Sequence, residues 1–329
     1  MKTLVTGGAG FIGSHVAKSL MDKGHEVIVL DDLSGGFEAN VPDGVSFVKG
    51  SILDQELLKE LFEREGFNYV YHLAAYAAEG LSHYIKHFNY QNNLIGSVNL
   101  INQSILHKIK CFVFTSSIAI YGSIASPMRE SDRAHPEDPY GVAKLAVEME
   151  LEASRSQFGL NYVIFRPHNV YGEHQNLGDR YRNVIGIFMN QLMLNQPLSV
   201  FGDGQQTRAF SYVGDITKPM IDCISREDCY GQVYNIGADK PYTVLELAQE
   251  VQKAFGKTTE VKYLDARNEV VHAHSDHHKI KAAFGNFQQT RLAEGILKMA
   301  RWAQQQGPME PSHFGEIEIQ EGLPPFWKT

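Results

Sequence analysis

A tyrosine and a lysine four residues apart, Tyr140 and Lys144, form a pair that could transfer a proton. Asp138-Pro139 just before them is a plausible helix start, which predicts that the two side chains lie one turn apart on the same face. A neighbouring ammonium lowers the pKa of a tyrosine from its usual value of about 10. The resulting phenolate could accept the proton of a hydroxyl group as hydride leaves the same carbon.

The segment Thr115-Ser116-Ser117-Ile118-Ala119-Ile120-Tyr121-Gly122 gives the tyrosine and lysine a context. A four-residue spacing of Tyr and Lys is frequent by chance, so the pair alone indicates little. This segment, however, directly follows a predicted strand and lies just upstream of the pair. Open α/β sheets place their chemistry at the carboxyl ends of strands, so the three elements are expected to meet there.

Three glycines near the N-terminus, Gly7, Gly10 and Gly13, have the spacing of a dinucleotide-binding loop. They follow the first predicted strand and open the first predicted helix. A tight turn, a close approach of backbone to a pyrophosphate and close helix-to-strand packing each exclude a Cβ atom. The free N–H groups at the start of the helix can then bind phosphate.

Asp31 ends the second predicted strand, 18 residues after Gly13. A carboxylate at this place accepts hydrogen bonds from the ribose hydroxyls of adenosine and repels a 2′-phosphate. The first arginine of the chain is Arg64, so the loop lacks a local guanidinium partner for such a phosphate. The cofactor is therefore expected to be NAD.

Short β-branched runs alternate with helical periods over the first two thirds of the chain, which predicts an α/β fold with a Rossmann-type doubly wound parallel sheet. Strands are predicted at 2–6, 26–30, 45–49, 69–72, 111–115 and 162–166, and helices at 11–23, 54–65, 88–107, 244–255 and 289–305. The alternation weakens after residue 172. We therefore expect an NAD-binding domain over 1–172, to which the chain returns around 209–237, and a smaller C-terminal α/β substrate lobe over 173–208 and 238–329.

Composition limits the partners of the protein. The net charge is −8 and no run of five basic residues occurs, so nucleic acid is not expected to bind. No stretch approaches 18 apolar residues, and no membrane segment or leader is predicted. Three cysteines without paired spacing, Cys111, Cys223 and Cys229, are expected to be free thiols in the cytoplasm.

Five motifs together resemble the extended short-chain dehydrogenase/reductases, in particular the group of nucleotide-sugar epimerases and dehydratases. They are TGGAGFIG at 6–13, HLAA at 72–75, TSSIAIYG at 115–122, YGVAK at 140–144 and RPHNVYG at 166–172. The resemblance implies that Tyr140 is the acid and base, that Ser117 bonds the reacting hydroxyl and that Lys144 holds the nicotinamide ribose.

The same resemblance assigns further residues to the cofactor. Phe11 and Ile12 would flank the pyrophosphate, and Ser51 and Ile52 would lie near the adenine, although family members often have an aspartate where Ser51 stands. The remaining assignments, to the cofactor cleft, are Leu73, Ala74, Ala75, Asn92 and His168.

The positions after Ser117 bear on the reaction. Dehydratases need a further acid and base there to remove the C5 proton and expel the C6 oxygen, and decarboxylases of the group carry a glutamate. Ile118 and Ala119 cannot transfer protons. The resemblance then implies NAD-dependent C4 epimerisation of a UDP-sugar, glucose or galactose or their N-acetyl forms, through a 4-keto intermediate. UDP-glucuronate as the substrate, a nucleotide-sugar oxidoreductase or dehydratase, and a non-catalytic NAD-sensing protein stay open as alternatives.

Substrate contacts are also expected by resemblance. Asn169, Asn183, Val200, Phe201, Arg208 and Arg267 match positions that bind the nucleotide diphosphate and its sugar. Ala273 stands where 4-epimerases of small sugars tend to have a bulky tyrosine, which suggests room for an N-acetyl group.

Two further expectations concern metal and assembly. The histidines at 272, 274, 277 and 278 are close enough in sequence to suggest a metal site. The segment resembles a stretch of the family that binds no metal, however, so no metal is expected. The resemblance implies a homodimer that forms through the helices at 88–107 and 140–158.

Overall fold

A seven-stranded parallel sheet dominates the computed structural model, which describes residues 1–266, 270–285, 289–311 and 313–328. The strands are β1 Lys2–Thr6, β2 Glu26–Asp31, β3 Ser46–Lys49, β4 Tyr69–His72, β5 Cys111–Thr115, β6 Tyr162–Pro167, β7 Val170–Tyr171, β8 Leu198–Phe201, β9 Thr207–Ala209, β10 Ser211–Tyr212, β11 Gln232–Ile236, β12 Pro241–Thr243, β13 Val261–Leu264 and β14 His272–Ala273. The helices are α1 Phe11–Asp22, α2 Gln55–Glu65, α3 Glu79–Ser82, α4 Lys86–Tyr90, α5 Gly96–Leu106, α6 Pro139–Phe158, α7 Val184–Met193, α8 Val213–Asp222, α9 Val244–Phe255, α10 His278–Phe284, α11 Leu292–Gln306 and α12 Pro325–Lys328.

The strand order in the sheet is β11-β6-β5-β4-β1-β2-β3, and each neighbouring pair is parallel. From β1 the chain moves outward through β2 and β3, then crosses back to β4 on the other side of β1. This reversal opens a crevice at the carboxyl ends of β1 and β4, the usual ligand site of such sheets. The predicted α/β class with a doubly wound parallel sheet is confirmed.

The central strands are apolar on both faces because helices cover both. Leu4 and Val5 are adjacent on β1, are both fully buried and belong to two different core clusters. One cluster packs α1 and α8 against the sheet, and the other packs α2, α5 and α6. Alternate side chains of a strand point to opposite faces, so a strand enclosed on both sides reads as a continuous apolar run.

Helix starts follow their capping residues. Asp54 accepts a hydrogen bond from the backbone N–H of Leu57 at 3.0 Å, and α2 ends at Gly66 with φ +62°. Asp138 accepts one from the N–H of Gly141 at 2.8 Å, and Pro139 occupies the first position of α6. The helix that carries the tyrosine and lysine therefore begins where the sequence predicts.

The helix predicted over 88–107 is longer at its start and contains an irregularity. It runs as α4, a π-helical turn over Gln91–Ile95 and α5. Within that turn, the Asn93 side chain accepts a hydrogen bond from the N–H of Tyr76 at 2.8 Å and donates to its carbonyl at 3.0 Å. The turn thus attaches the helix to the loop after β4, and π-helical turns are frequent at functional sites.

A second group of elements packs around its own apolar core, and we call it the second lobe. It contains α7, β8, β9, β12, β13, β14, α9 and α11, with Phe188, Leu247 and Met299 fully buried at its centre. Strand β9 pairs with β12 in antiparallel and with β14 in parallel orientation. The strand β11 returns from this region to the edge of the main sheet beside β6.

Two expectations from composition concern the state of the cysteines and the presence of membrane-spanning helices. Cys111, Cys223 and Cys229 are buried free thiols. Among the residues the structure describes, no helix is both long and apolar enough to cross a bilayer.

A buried ion pair joins α6 to β6. The Arg166 guanidinium donates to both carboxylate oxygens of Glu148, from Nε at 3.0 Å and from Nη2 at 2.5 Å. Ser116 also donates to this carboxylate, and Arg166 Nη1 donates to the Tyr121 hydroxyl at 2.6 Å. Because Glu148 lies one turn beyond Lys144, this network fixes the rotation of α6 relative to the sheet.

Removing one partner of this pair should destabilise the protein more than removing both. Arg166→Met leaves the Glu148 carboxylate buried without its cation, so we expect the free energy of unfolding to fall by about 3 kcal/mol. The double variant Arg166→Met/Glu148→Leu should recover at least half of that loss. Urea unfolding of the two variants and the parent checks this, and a double variant no more stable than Arg166→Met would contradict it.

Candidate active site

A cavity of about 610 Å³ lies between the carboxyl edge of the main sheet and the second lobe. Most residues predicted from the sequence line it. They are Gly7, Gly10, Phe11, Ile12, Gly13, Asp31, Ile52, Leu73, Ala74, Ala75, Asn92, Ser117, Tyr140, Lys144, His168, Asn169, Asn183, Phe201, Arg208 and Ala273. Residues from separate stretches along the whole chain are thus brought to one place, because the strand ends and the second lobe converge there.

Two predicted residues that the structure describes, Ser51 and Val200, are not among the cavity lining. The Ser51 hydroxyl accepts a hydrogen bond from the N–H of Leu53 at 3.2 Å, so it serves the local turn. The Val200 side chain is 1% exposed and packs in the core of the second lobe, because alternate residues of β8 point inward. Its neighbour Phe201 faces the cavity instead. Arg267 lies outside the described residues.

The glycine loop leaves a cradle that side chains would fill. Gly7 has φ +69°, and a Cβ on it would lie 2.6 Å from the backbone nitrogen of Ala74. A Cβ on Gly13 would lie 2.0 Å from the carbonyl oxygen of Gly7. Helix α1 begins after Gly10 with no side-chain cap, so its first N–H groups are available to a phosphate. These residues fit the pyrophosphate of a dinucleotide.

Asp31 is tied to the glycine loop. One carboxylate oxygen accepts from the N–H of Ala9 at 3.0 Å and the other from the N–H of Leu33 at 2.8 Å. Burial raises the pKa of this carboxyl, and the backbone hydrogen bonds oppose that shift. The carboxylate is therefore held at the crevice wall, where ribose hydroxyls can reach it.

Ser117, Tyr140 and Lys144 come together at the end of β5. Lys144 Nζ donates to the carbonyl of Thr115 at 2.8 Å and lies 5.7 Å from the centre of the Tyr140 ring. Burial lowers the pKa of Lys144 to about 7, opposed by the Glu148 carboxylate. A serine hydroxyl, a phenol and an amine in one buried site can hold and transfer the proton of a substrate hydroxyl.

The predicted lowering of the tyrosine pKa by its lysine is wrong for the ligand-free protein. Burial raises the pKa of Tyr140, while a hydrogen bond with Ser117 and the charge of Arg182 lower it. The physical reason is that desolvation disfavours the phenolate more than the nearby groups favour it.

A buried polar network, which the sequence analysis missed, connects the glycine loop with α6. His72 bonds the Thr6 hydroxyl through Nδ1 and the Ser97 hydroxyl through Nε2, both at 2.8 Å. Asn93 donates to the Asn89 side chain at 2.7 Å, and Asn89 donates to the carbonyl of Pro139 at 2.8 Å. The only sequence signal was the HLAA motif itself, since the partners lie far apart along the chain.

Gln175 and Arg182 also line the cavity and were not predicted. The Gln175 side chain is 1% exposed, and neither atom of its amide has a hydrogen-bond partner within the described residues. Arg182 forms an ion pair with Asp179 at 2.5 Å and lies over the Tyr76 ring, 4.6 Å from its centre. Neither residue stands in a pattern that indicates a ligand, so only the folded chain reveals them.

Arg208 and Ala273 lie side by side on β9 and β14. The Arg208 guanidinium donates to the carbonyls of Thr207 and Val271 at 2.9 Å each and to that of Val270 at 2.5 Å. Ala273 is 8% exposed, and its methyl group limits the cavity on this side.

The histidines form contacts within the protein. His168 Nδ1 bonds the carbonyl of Ala209 at 2.9 Å, and its Nε2 lies 3.2 Å from Nε2 of His277. Burial lowers the pKa of His168 to about 3. Both ring nitrogens of this predicted cofactor residue thus contact other groups of the protein. No metal-binding group of three or more His, Cys, Asp or Glu occurs within residues 1–266, 270–285, 289–311 and 313–328.

Comparisons with known proteins place this geometry in context. The model of the NAD dependent epimerase/dehydratase family matches residues 3–237. A putative UDP-glucose 4-epimerase of Methanocaldococcus jannaschii is 33% identical over 302 residues, which cover 91% of this chain and 97% of the relative.

Two solved structures are similar over almost the whole chain. The UDP-glucose 4-epimerase of Thermotoga maritima with UDP-glucose is 34% identical, with a TM-score of 0.88 over 93% of this chain and 99% of that one. The UDP-N-acetylglucosamine 4-epimerase of Methanobrevibacter ruminantium M1 with UDP-N-acetylmuramic acid is 30% identical, with a TM-score of 0.86 over 93% and 98%.

Replacing Lys144 by methionine should stabilise the NAD-free protein in a pH-dependent way. The pKa of Lys144 is about 7 in the folded chain against 10.5 ordinarily, so the unfolded chain binds more protons between these pH values. The stability of the parent therefore rises with pH through this window. The advantage of Lys144→Met should be largest near neutral pH and shrink towards pH 10.

Urea unfolding of parent and variant at several pH values between the two pKa values measures this difference. Lys59→Met, at an exposed position of α2, serves as the control. An advantage of Lys144→Met that stays constant with pH would contradict the assignment.

Proposed function

The chain belongs to the NAD-dependent epimerase/dehydratase family, and we propose that it is a UDP-sugar 4-epimerase acting through a transient 4-keto sugar. One observation carries the choice of reaction. Ser117 and Tyr140 line the cavity together with Ile118 and Ala119, whose side chains have no group that can donate or accept a proton. A dehydratase needs a second acid and base beside the serine, whereas an epimerase needs only the first pair.

Each residue of the site has a defined task in this reaction. NAD supplies the acceptor and later the donor of the C4 hydride. Tyr140 accepts the proton of the C4 hydroxyl, and it returns a proton to the C4 oxygen after the ketone has turned in the cavity. Ser117 donates a hydrogen bond to that oxygen. Lys144 is held by its hydrogen bond to the Thr115 carbonyl, so its amino group stays next to the phenol as a hydrogen-bond donor.

The opposite wall offers polar groups for the nucleotide sugar. Asn169, Asn183 and Gln175 present side-chain amides to the cavity, and the unpaired amide of Gln175 provides both a donor and an acceptor. A buried amide without a partner is costly, so a ligand that satisfies it gains affinity. Arg208 supplies positive charge for a diphosphate.

The position of the Arg182 guanidinium supports a second candidate substrate, UDP-glucuronate. The guanidinium lies in the cavity wall near enough to Tyr140 to lower the pKa of that phenol. A carboxylate at C6 of the sugar would be a suitable partner for a buried cation beside the reacting hydroxyl. A turnover of UDP-galacturonate above that of UDP-galactose would select this candidate.

We also propose a homodimer formed through α5 and α6. Large apolar side chains along these helices are exposed, among them Met149 at 63%, Phe158 at 64% and Val142 at 40% on α6. On the neighbouring helix α5, the preceding residue Ile95 is 42% exposed and the last residue Leu106 is 69% exposed. Several large exposed apolar side chains on two helices that contact each other indicate a protein interface.

Cytoplasmic residence is a further proposal, and the thiols support it. The pKa of Cys223 is raised by burial and by its neighbours Cys111 and Cys229, so the three lie close together. Three neighbouring free thiols are expected where the surroundings are reducing.

Purified protein incubated without added NAD tests the function directly. We expect UDP-galactose, UDP-N-acetylgalactosamine or UDP-galacturonate to be converted to its C4 isomer by copurified NAD, as seen by chromatographic separation. Tyr140→Phe should reduce the rate by a factor of about 10² or more, because no other group accepts the hydroxyl proton. The exposed Tyr263→Phe is the matched control. Full activity of Tyr140→Phe would overturn the mechanism.

The size of the residue at position 273 should select the sugar. We expect the parent to convert UDP-N-acetylglucosamine and Ala273→Tyr to lose this activity while retaining UDP-glucose, because the ring fills the cavity beside β9. Ala273→Ser, which adds one oxygen, should retain both. Initial rates on both substrates provide the measurement. An equal loss of rate on the two in Ala273→Tyr would contradict the prediction.

Placing a charge on the α6 face should break the dimer. Met149→Glu puts a carboxylate in the proposed apolar interface, so we expect a monomer by light scattering coupled to gel filtration. Leu297→Glu, at a 38% exposed position of α11, should leave the dimer intact. A monomeric parent, or a dimeric Met149→Glu, would rule out this interface.

A further inference from the structure

The C-terminal segment, residues 309–311 and 313–328, crosses between the two parts of the molecule, and we call it the strap. It starts on the second lobe. Asn190 of α7 accepts a hydrogen bond from the N–H of Met309 at 2.9 Å and donates to the carbonyl of Met309 at 2.8 Å. Both polar backbone groups of this residue are thus fixed by one side chain.

The strap then reaches the helix that begins at Lys86. The carboxylate of Glu318 accepts hydrogen bonds from the N–H groups of His87 and Phe88, each at 2.8 Å. The residue that precedes the helix, Ile85, provides no side-chain cap. Glu318 therefore supplies from the far end of the chain the acceptor and the negative charge that a helix start needs.

Aromatic rings of the strap support cavity residues of the main domain. Phe314 packs edge to face on Tyr76 and Phe88, with ring centres 5.1 and 4.9 Å apart. Tyr76 and Phe88 both line the cavity. The rotamers of these wall residues are thus fixed from behind by a residue that is itself not part of the lining.

The strap returns to the second lobe at its end. Phe326 packs on Phe201 with ring centres 5.9 Å apart, and Trp327 packs on Tyr181 at 5.5 Å. Arg180 lies over the Phe326 ring, 5.2 Å from its centre, and donates to the Phe326 carbonyl. Phe201 and Tyr181 also line the cavity.

We propose that the strap determines the shape and the affinity of the nucleotide-sugar half of the cavity. Glu318 acts as a positioning residue for the start of the helix that carries Phe88, and Phe314 holds the aromatic wall. The proposal rests on the proposed function for the identity of the ligand. The contacts described above leave out the glycine loop and Asp31, so NAD binding should not depend on the strap.

Glu318→Gln tests the positioning role, because it removes the charge and leaves one acceptor for two N–H groups. The matched control is Glu316→Gln, which removes an exposed carboxylate two residues earlier. We expect the KM for the UDP-sugar to rise roughly fivefold with kcat nearly unchanged, since a helix cap contributes an amount of that order. The dissociation constant of UDP, measured by calorimetry, should rise by a similar factor.

Hydrogen exchange gives an independent readout at the helix itself. The amides of His87 and Phe88 should exchange faster in Glu318→Gln than in Glu316→Gln, while the NAD content of both variants equals that of the parent. Phe314→Ala tests the aromatic wall and should raise the UDP dissociation constant without a change at these two amides.

The possible outcomes distinguish a failure of the strap proposal from a failure of the proposed function. If the parent converts no UDP-sugar but Glu318→Gln still weakens UDP binding, the strap proposal stands and the function fails. If Glu318→Gln matches Glu316→Gln in UDP affinity and amide exchange, or loses kcat or NAD with UDP affinity intact, the strap proposal is overturned.

Discussion

The Glu148 carboxylate is the contact on which the geometry of the site depends. It binds Arg166 of β6 through both oxygens and also accepts from Ser116, which directly follows β5. Helix α6 is thereby held to the ends of two neighbouring strands. Because Lys144 and Tyr140 lie one and two turns earlier on the same helix, respectively, their direction towards Ser117 follows from this one buried charge.

Burial then sets the chemical state of these groups. The interior that makes the ion pair strong also raises the pKa of Tyr140 and lowers that of Lys144 to about 7. A phenol in this environment retains its proton until positive charge or a hydrogen-bonding substrate enters the cavity. Burial therefore favours the protonated phenol of Tyr140 and keeps Tyr140 and Lys144 apart from solvent, which suits a reaction whose ketone intermediate must not escape.

The walls of the cavity come from long-range packing. The glycine loop and Asp31 form the cofactor side, the second lobe contributes Arg208 and Ala273, the segment before α7 contributes Gln175, and the strap contacts the aromatic residues Tyr76 and Phe88. The edge-to-face ring contacts and the Glu318 cap tie both halves to a segment more than 200 residues distant from the helix it caps. The substrate side of the site is thus an assembly of contacts between parts that are separate in the chain.

The sequence by itself determined the parallel sheet, the glycine loop, Asp31 and the Tyr140–Lys144 pair. These features are local: apolar runs predict buried strands, a missing Cβ permits a close approach, and a four-residue spacing fixes one helical face. Only the tertiary structure decided that Val200 packs in the core, that Ser51 serves a turn, that Arg182 and Gln175 line the cavity, and that Glu318 caps the helix at Lys86. Their roles arise from contacts between distant segments, for which no spacing along the chain gives a signal. The sign of the Tyr140 pKa shift also needed the fold, because desolvation depends on everything that surrounds the group rather than on its neighbours in sequence.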